Sequence, residues 1–348
     1  MKRDILVIDS TLRDGSHAIS HQMEIEHISA YANMAEIAGV PILMVGHGNG
    51  LGASSLQLGL SKYSDTELLT AAKNNLKKTK LGAFLIPGFG TIKRDIAPAI
   101  SLGVQVVMVG THCTEATVTR QHIQYCVKNG IETYGVLMMS HMVSPDVLLE
   151  QAKLMEGYGA IGILLMDSAG AYLPYDVSIK VKTLVNGLSI PVGFHAHNNL
   201  GMAVANSLIA VEHGATILDA TSRGFGAGAG NCQLEVAVAV LQKMGYNTGV
   251  DLYTLMDMGE YVGQEIMKKA QEINVVTLTS GLSGVFSGFA PHAVKAAKQF
   301  DVDVRDIFME LGRRGVVGGQ EDIIVDVAMN LKQLKEKRSL DSQIGALT

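Results

Sequence analysis

Tryptophan is absent from this chain of 348 residues, and cysteine is limited to Cys113, Cys126 and Cys232. An odd count without paired or metal-type spacing excludes a disulfide framework and a cysteine-ligated zinc site. It fits a reducing compartment, so a cytoplasmic protein is expected. No apolar run reaches the roughly 18 residues that a bilayer-spanning helix needs. The longest, such as Ile161 to Met166, have the length of buried strands. The opening Met1-Lys-Arg-Asp-Ile-Leu-Val-Ile-Asp-Ser10 has too short an apolar stretch for a secretory signal; the mature chain is expected to begin here, with a first strand. Charge of one sign is also scarce. The net charge is −5 without a basic stripe, which argues against nucleic acid.

What is present is apolar bulk. Hydrophobic residues make up 47%, with 17 Met, and mean hydropathy is positive, which points to a large core covered on many faces. Strand-length apolar runs fall near 5–9, 41–46, 81–86, 104–109, 132–138, 161–166, 191–196 and 216–220. Amphipathic stretches near 24–38, 65–79, 92–102, 115–129, 146–158, 175–186, 200–213 and 232–244 alternate with them. Strands this apolar need cover on both faces, and the crossovers are of helical length, so a (β/α)8 TIM barrel over 1–250 is expected. Beyond it, stretches at 252–273, 291–300, 303–312 and 320–337 lack intervening strands and predict a small C-terminal helical domain over 251–348. Gly39, Gly103, Gly130, Gly159, Gly214 and Gly245 are expected as left-handed helix caps, Pro145 as a first-turn residue, and Gly318 to Asp322 as a helix start. Lys332 to Ser339 reads as a charged, solvated end.

The stretch Gly193-Phe-His-Ala-His-Asn-Asn-Leu200 ends the seventh strand. Alternation along a strand puts His195 and His197 on one face, close enough to grip one ion. Barrel chemistry gathers at the carboxyl ends of the strands. Asp9 to His17, His47 to Asn49, His112, His141, Asp167 with Ser168, and Thr221 to Asn231 all fall there. Asp14, turned inward at Gly15, would add a carboxylate to the two imidazoles. On ligand type alone Mn²⁺, Mg²⁺, Zn²⁺ and Fe²⁺ are all compatible. Such an ion, chelated by an α-keto acid, would stabilise an enolate, Arg13 would hold the same oxygen, and His17 would exchange a proton with a substrate hydroxyl. Asp9 reads as a loop-fixing residue, Arg13 also as an ion-pair partner for Asp14, and Ser168 also as a chain-turning residue. His47, His112 and His141 read equally well as structural. Gly224 to Asn231, lacking a P-loop lysine, is expected to pack beside the metal pocket.

Asp9-Ser-Thr-Leu-Arg-Asp-Gly-Ser-His-Ala18 with His195-Ala-His-Asn-Asn-Leu200 resembles the metal-dependent aldolase and lyase superfamily that includes HMG-CoA lyase and isopropylmalate synthase. Val45 to Ser55, Thr111 to Glu115, Leu137 to Met142, Gly226 to Asn231 and Gly318 to Ala328 narrow this nearly end to end to the 4-hydroxy-2-oxovalerate aldolase family, class II pyruvate aldolases of aromatic and steroid breakdown. The resemblance implies retro-aldol cleavage of 4-hydroxy-2-oxo acids to pyruvate and an aldehyde, with Mn²⁺ preferred and Mg²⁺ or Co²⁺ as substitutes. It implies Asp14, His195 and His197 as metal ligands, Arg13 as the enolate-stabilising arginine and His17 as the base at the C4 hydroxyl. Arg13, Asp14, Ser168 and His195 would contact substrate. It also implies an acylating aldehyde dehydrogenase docked on the helical end; the oligomeric state stays open. Where the family carries Gly-Tyr-Ala-Gly-Val-Tyr, this chain has Gly281-Leu-Ser-Gly-Val-Phe286, so Leu282 and Phe286 are expected to give the pocket an apolar wall. Arg223 is expected to replace part of the lost hydrogen bonding. Phe84 and Ile86, where relatives have leucines, are expected to reshape the aldehyde pocket. Two other readings are a Claisen-type acyl-CoA synthase or lyase, and a weakly catalytic dehydrogenase-binding subunit.

Overall fold

The computed structural model describes residues 4–345, with side chains described as far as Lys337. Eight strands lie at β1 Leu6–Leu12, β2 Ile42–Val45, β3 Lys80–Leu85, β4 Val106–His112, β5 Glu132–Met138, β6 Gly162–Asp167, β7 Val192–Ala196 and β8 Ile217–Ala220. All neighbours pair in parallel, and β8 returns to β1 to close the barrel. Alternation explains the closure. Ile42 and Met44, Val106 and Met108, Tyr134 and Val136, and Leu164 and Met166 point inward and pack with Phe84 and Ile217 as an inner cluster. Leu43 and Val45, Val107 and Val109, and Ile163 and Leu165 point outward into the helical layer. Each such buried side chain contributes about 1.5–3 kcal/mol, so a one-residue slip of any strand would expose a whole row.

The helical layer is α1 Ile25–Ala38, α2 Asp65–Lys73, α3 Ala97–Ser101, α4 Arg120–Lys128, α5 Pro145–Gly157, α6 Pro174–Gly187, α7 Ala203–Glu212 and α8 Leu234–Lys243. Local chemistry sets their ends. Ser64 and Glu67 form a capping box before α2, and Ser144 caps α5 with Pro145 in its first turn. Gly39, Gly103, Gly130, Gly159, Gly214 and Gly245 all have φ between +72° and +115°, as expected of caps.

Two expected helices are shorter. α2 stops at Lys73 because the Glu36 carboxylate of α1 accepts the amides of Lys77, Lys78 and Thr79 and holds them out of the helix. The stretch expected at 252–273 ends at Ile266: α9 Leu252–Tyr261 continues into a π turn over Val262–Ile266, and the chain then runs on without helix. An unforeseen helix, α10 Val275–Ser283, restarts where the Asn274 side chain accepts the Val276 and Thr277 amides.

Leu255, Met258, Val262 and Ile266 join the barrel's apolar cluster. A second cluster, built on Val285, Phe289, Phe308 and Val327, unites α11 Ala290–Phe300, α12 Val304–Arg314 and α13 Ile323–Gly345. Gly318 to Asp322 precedes α13 as turns rather than opening it, because the Glu321 carboxylate accepts the Gly319 amide and the Gln57 side chain instead of capping. Described side chains of the charged end, from Lys332 to Lys337, are exposed; Arg338 and Ser339 lie outside the described side chains. Among the described residues no helix is long and apolar enough to cross a membrane.

Candidate active site

The loop after β1 is held by its first acid. Asp9 Oδ1 accepts the Thr11 amide and hydroxyl at 2.9 and 2.5 Å, and Oδ2 accepts the Tyr31 hydroxyl at 2.6 Å. Asp9 is thus a loop anchor, as expected, and burial pushes its carboxyl up to about 6. The anchor leaves Arg13 and Asp14 at the barrel mouth, where a 3-10 turn, Asp14–Ile19, carries His17.

Asp14, His195 and His197 offer ligating atoms that all lie within 4.8 Å of one another, and all three residues are buried. β7 positions the pair: His195 is within it, His197 lies just beyond, and a bridge to Asn231 holds the exit. His195 Nδ1 stands 3.1 Å from Asp219 Oδ2 on β8 without hydrogen-bond alignment, while His195 Nε2 and His197 Nδ1 have no partner. Buried imidazole nitrogens left unpaired cost about 1–3 kcal/mol each. Two buried imidazoles converging with a carboxylate fit a divalent cation and leave coordination positions open.

The electrostatics agree. Burial alone would raise the Asp14 carboxyl, but the Arg13 guanidinium beside it outweighs burial and holds it far below the ordinary range. Burial pushes His197 down to about 4 despite Asp14, so the imidazole is neutral and available as a ligand at pH 7. His17, also lowered by burial, has its Nε2 3.9 Å from Asp14 Oδ1. Arg13 is 2% exposed, pairs with Asp14 at 2.9 Å and lies 4.8 Å from the Phe84 ring centroid. It is both the ion-pair partner of Asp14 and a charge beside the two imidazoles. The Asn231 side-chain amide donates to Asp14 Oδ2, so the glycine-rich run packs against the cluster of Asp14, His195 and His197.

Residues 4–262 match the HMGL-like family, and residues 271–333 match the DmpG-like communication domain. The chain is 53% identical over 336 residues to 4-hydroxy-2-oxovalerate aldolase of Pectobacterium atrosepticum, covering 97% of this chain and 98% of that one. It is 52% identical to that of Spirochaeta aurantia, covering 94% and 96%. The chain belongs to the 4-hydroxy-2-oxovalerate aldolase branch of the HMGL-like family. Among solved structures, the carboxyl transferase domain from Rhizobium etli pyruvate carboxylase superposes with a TM-score of 0.80 at 17% identity, over 96% of this chain and 61% of that one, a likeness of fold.

In this aldolase-family chain the loops bring Arg13, Asp14, His17, His195 and His197 together. Ser168 sits in the adjoining loop, buried, its hydroxyl accepting the Met139 amide at 3.0 Å. That loop presses on the seventh: a side chain on Gly170 would meet the Asn199 amide at 2.7 Å. Elsewhere, His141 bonds the Gly284 carbonyl and ties the barrel to the end of α10. His112 bonds Thr114 and borders a side cavity of about 110 Å³.

Three expectations are corrected. Arg223 does not enter the pocket: its guanidinium pairs with Glu260 on α9 at 3.0 Å, because a left-handed φ of +54° turns it outward. Leu282 builds no wall either, being 67% exposed on α10. Phe84 lies in the inner barrel layer beneath Arg13 rather than in an aldehyde pocket. Phe286 and Ile86 do line the side cavity, and Phe286 also borders a cavity of about 630 Å³ lined by His17.

Sequence reasoning missed His21, Asp219 and Asn199. His21 lies four residues past His17, just beyond the end of the 3-10 turn. Asp219 is a lone acid in the apolar run Thr216 to Ala220, facing His195 in register. Asn199, inside the quoted motif, bonds Ala169, Ala229 and Ser287 and so joins three segments.

Proposed function

We propose that this chain is a metal-dependent carbon–carbon lyase that cleaves a 4-hydroxy-2-oxo acid to pyruvate and an aldehyde. The observation that carries the reading is the buried convergence of Asp14, His195 and His197 with the Arg13 guanidinium alongside. A divalent cation held by these three residues, Mn²⁺ by preference with Mg²⁺ or Co²⁺ as substitutes, would supply Lewis acidity toward the substrate's keto oxygen. The chain's own groups do the rest. His17 takes the C4 hydroxyl proton, the C3–C4 bond breaks with its electron pair moving to C3, and C4 leaves as the aldehyde carbonyl. Arg13 offsets the negative charge of the resulting pyruvate enolate, C3 takes a proton from solvent to become the methyl group, and His17 returns its proton to solvent. Ser168 and His195 contact the 2-oxo acid.

The released aldehyde meets Ile86 and Phe286, an apolar surface where relatives supply a phenol, so aldehydes longer than acetaldehyde are accepted. The division of labour is a catalytic barrel over 1–250, on whose apolar cluster α9 still packs, and, over 251–348, a helical unit whose communication-domain match over 271–333 supports docking of an acylating aldehyde dehydrogenase. The enzyme would work in the cytoplasm, in breakdown of aromatic compounds. Pyruvate release from a panel of 4-hydroxy-2-oxo acids of increasing chain length, with Mn²⁺ and with chelator, tests the reading. No release from any member would overturn it.

A further inference from the structure

His21 and His47 have no part in the chemistry above, yet both are buried beside it. Their rings stack with centroids 3.6 Å apart and 21° from parallel, and the His21 ring stands edge-on to His17 at 5.0 Å. Hydrogen bonds assign the two rings matching roles. His47 Nδ1 accepts the Asn49 amide at 3.1 Å, and His21 Nδ1 lies 3.5 Å from the Gly48 amide and 3.1 Å from the Ser16 hydroxyl. Further along the same loop, the opposite edge of His47 meets the Gly59 carbonyl at 3.1 Å, and the His21 ring packs against Gly59 itself. The stacked pair therefore fastens residues 48–49 to Gly59, the two limbs of the segment that follows β2.

What is fastened matters because of Gly48. Its carbonyl accepts Arg13 Nη1 at 3.3 Å, and its Cα packs against the His17 ring. The His17 ring lies where a Gly48 side chain would be, 2.4 Å from an added Cβ. Base and peptide thus fit together directly. The chain also adopts an unfavourable backbone to place His21: Ser20 and His21 both have left-handed φ, 53° and 61°, a region that residues with side chains seldom occupy in succession. Gly59, at φ +101°, likewise leaves room for the His21 ring, which would lie 2.7 Å from an added Cβ.

We propose that the stacked His21–His47 pair is a positioning device for His17, fixing the Gly48 peptide against which the base rests. The proposal rests on the aldolase reading for its catalytic consequence, and two measurements keep them apart. In the full-length protein, hydrogen exchange at the Gly48 and Asn49 amides is expected to quicken at least about tenfold in His21→Ala and His47→Ala. Retro-aldol kcat is expected to fall about 10- to 100-fold in both variants, with KM changed less than about threefold. Deuterium exchange at the pyruvate methyl group, which does not need the C4 base, is expected to stay within about threefold of wild type. His47→Asn, whose amide oxygen can stand where Nδ1 stood, recovers part of the lost kcat. Unchanged amide exchange in both alanine variants overturns the fastening itself. Wild-type kcat, or cleavage and methyl exchange falling together, overturns its aim at His17. A wild-type protein that exchanges no pyruvate and cleaves no 4-hydroxy-2-oxo acid refutes the aldolase reading and, with it, the catalytic consequence, while the amide data still decide the fastening.

Discussion

Asn231 donates its side-chain amide to Asp14 Oδ2, across more than two hundred residues of chain. The bond fixes the orientation of the one carboxylate among the proposed ligands, and Gly226 makes room for it: a side chain there would meet Asn231 Nδ2 at 2.4 Å. Outer partners of this kind set ligand geometry and typically contribute 10- to 100-fold in metal affinity. Asn231→Ala is expected to weaken Mn²⁺ binding on the order of 10- to 100-fold, with little change in Tm of the metal-free protein. Isothermal titration calorimetry with Mn²⁺ measures it, and an unchanged Kd would refute the role.

Replacing Arg13 by lysine keeps a charge but loses the fork that reaches Asp14, Gly48 and Ser10 together. Arg13→Lys is expected to lower kcat roughly 10²- to 10³-fold. Steady-state pyruvate release at saturating Mn²⁺ decides it.

Gly48 has an ordinary φ, so alanine is tolerated by the backbone there and the effect falls on the neighbour. Gly48→Ala is expected to displace the His17 ring and reduce kcat on the order of 10²-fold, the scale of an ångström-sized misplacement. Circular dichroism should show a folded protein. A fully active variant would mean that His17 does not act from this position.

Phe286, with Asn49, Leu58 and Glu321, lines both the cavity of about 630 Å³ and the side cavity of about 110 Å³. Phe286→Ala should join them. The expected outcome is a gain of roughly tenfold in kcat/KM for substrates that release aldehydes one or two methylenes longer, relative to acetaldehyde. A parallel fall for every substrate would assign the ring to general packing.

Stability in the absence of metal should decline on the acid side. Burial holds His47, His141 and His197 down at about 4 and His21 at about 3. These sites bind more protons in the unfolded chain, whose imidazoles titrate at about 6.5. Their contribution is complete above that pH and is lost as pH falls toward 4. Asp9 and Asp167 oppose the trend: burial raises both to about 6, so over the same range the folded state is the one that takes up their protons. The imidazoles outnumber them. Tm with chelator is expected to be lower at pH 5 than at pH 7 by about 5 °C or more, and His141→Gln should flatten the slope. A Tm that rises on acidification would contradict the balance.

The barrel was legible because its strands alternate so strictly: Ile42 with Met44 and Leu43 with Val45 belong to opposite faces, as a period of two requires. The histidine pair was legible for the same reason. What escaped depended on contacts distant in sequence. Nothing local to Lys73 announces that Glu36 will hold the following amides, and nothing in Arg223 itself announces Glu260. Leu282 was misread because one position on a short helix points to solvent or pocket only once α10 has been docked.

The Phe84 ring is enclosed above and beside. Arg13 lies 4.8 Å from its centroid, and an added Cβ on Gly110 would sit 2.4 Å from its tip. Enlarging this ring has nowhere to go, and trimming it withdraws the floor from under the guanidinium. Anyone redesigning the enzyme for bulkier aldehydes therefore has Ile86 and Phe286 to vary, and should leave Phe84 alone.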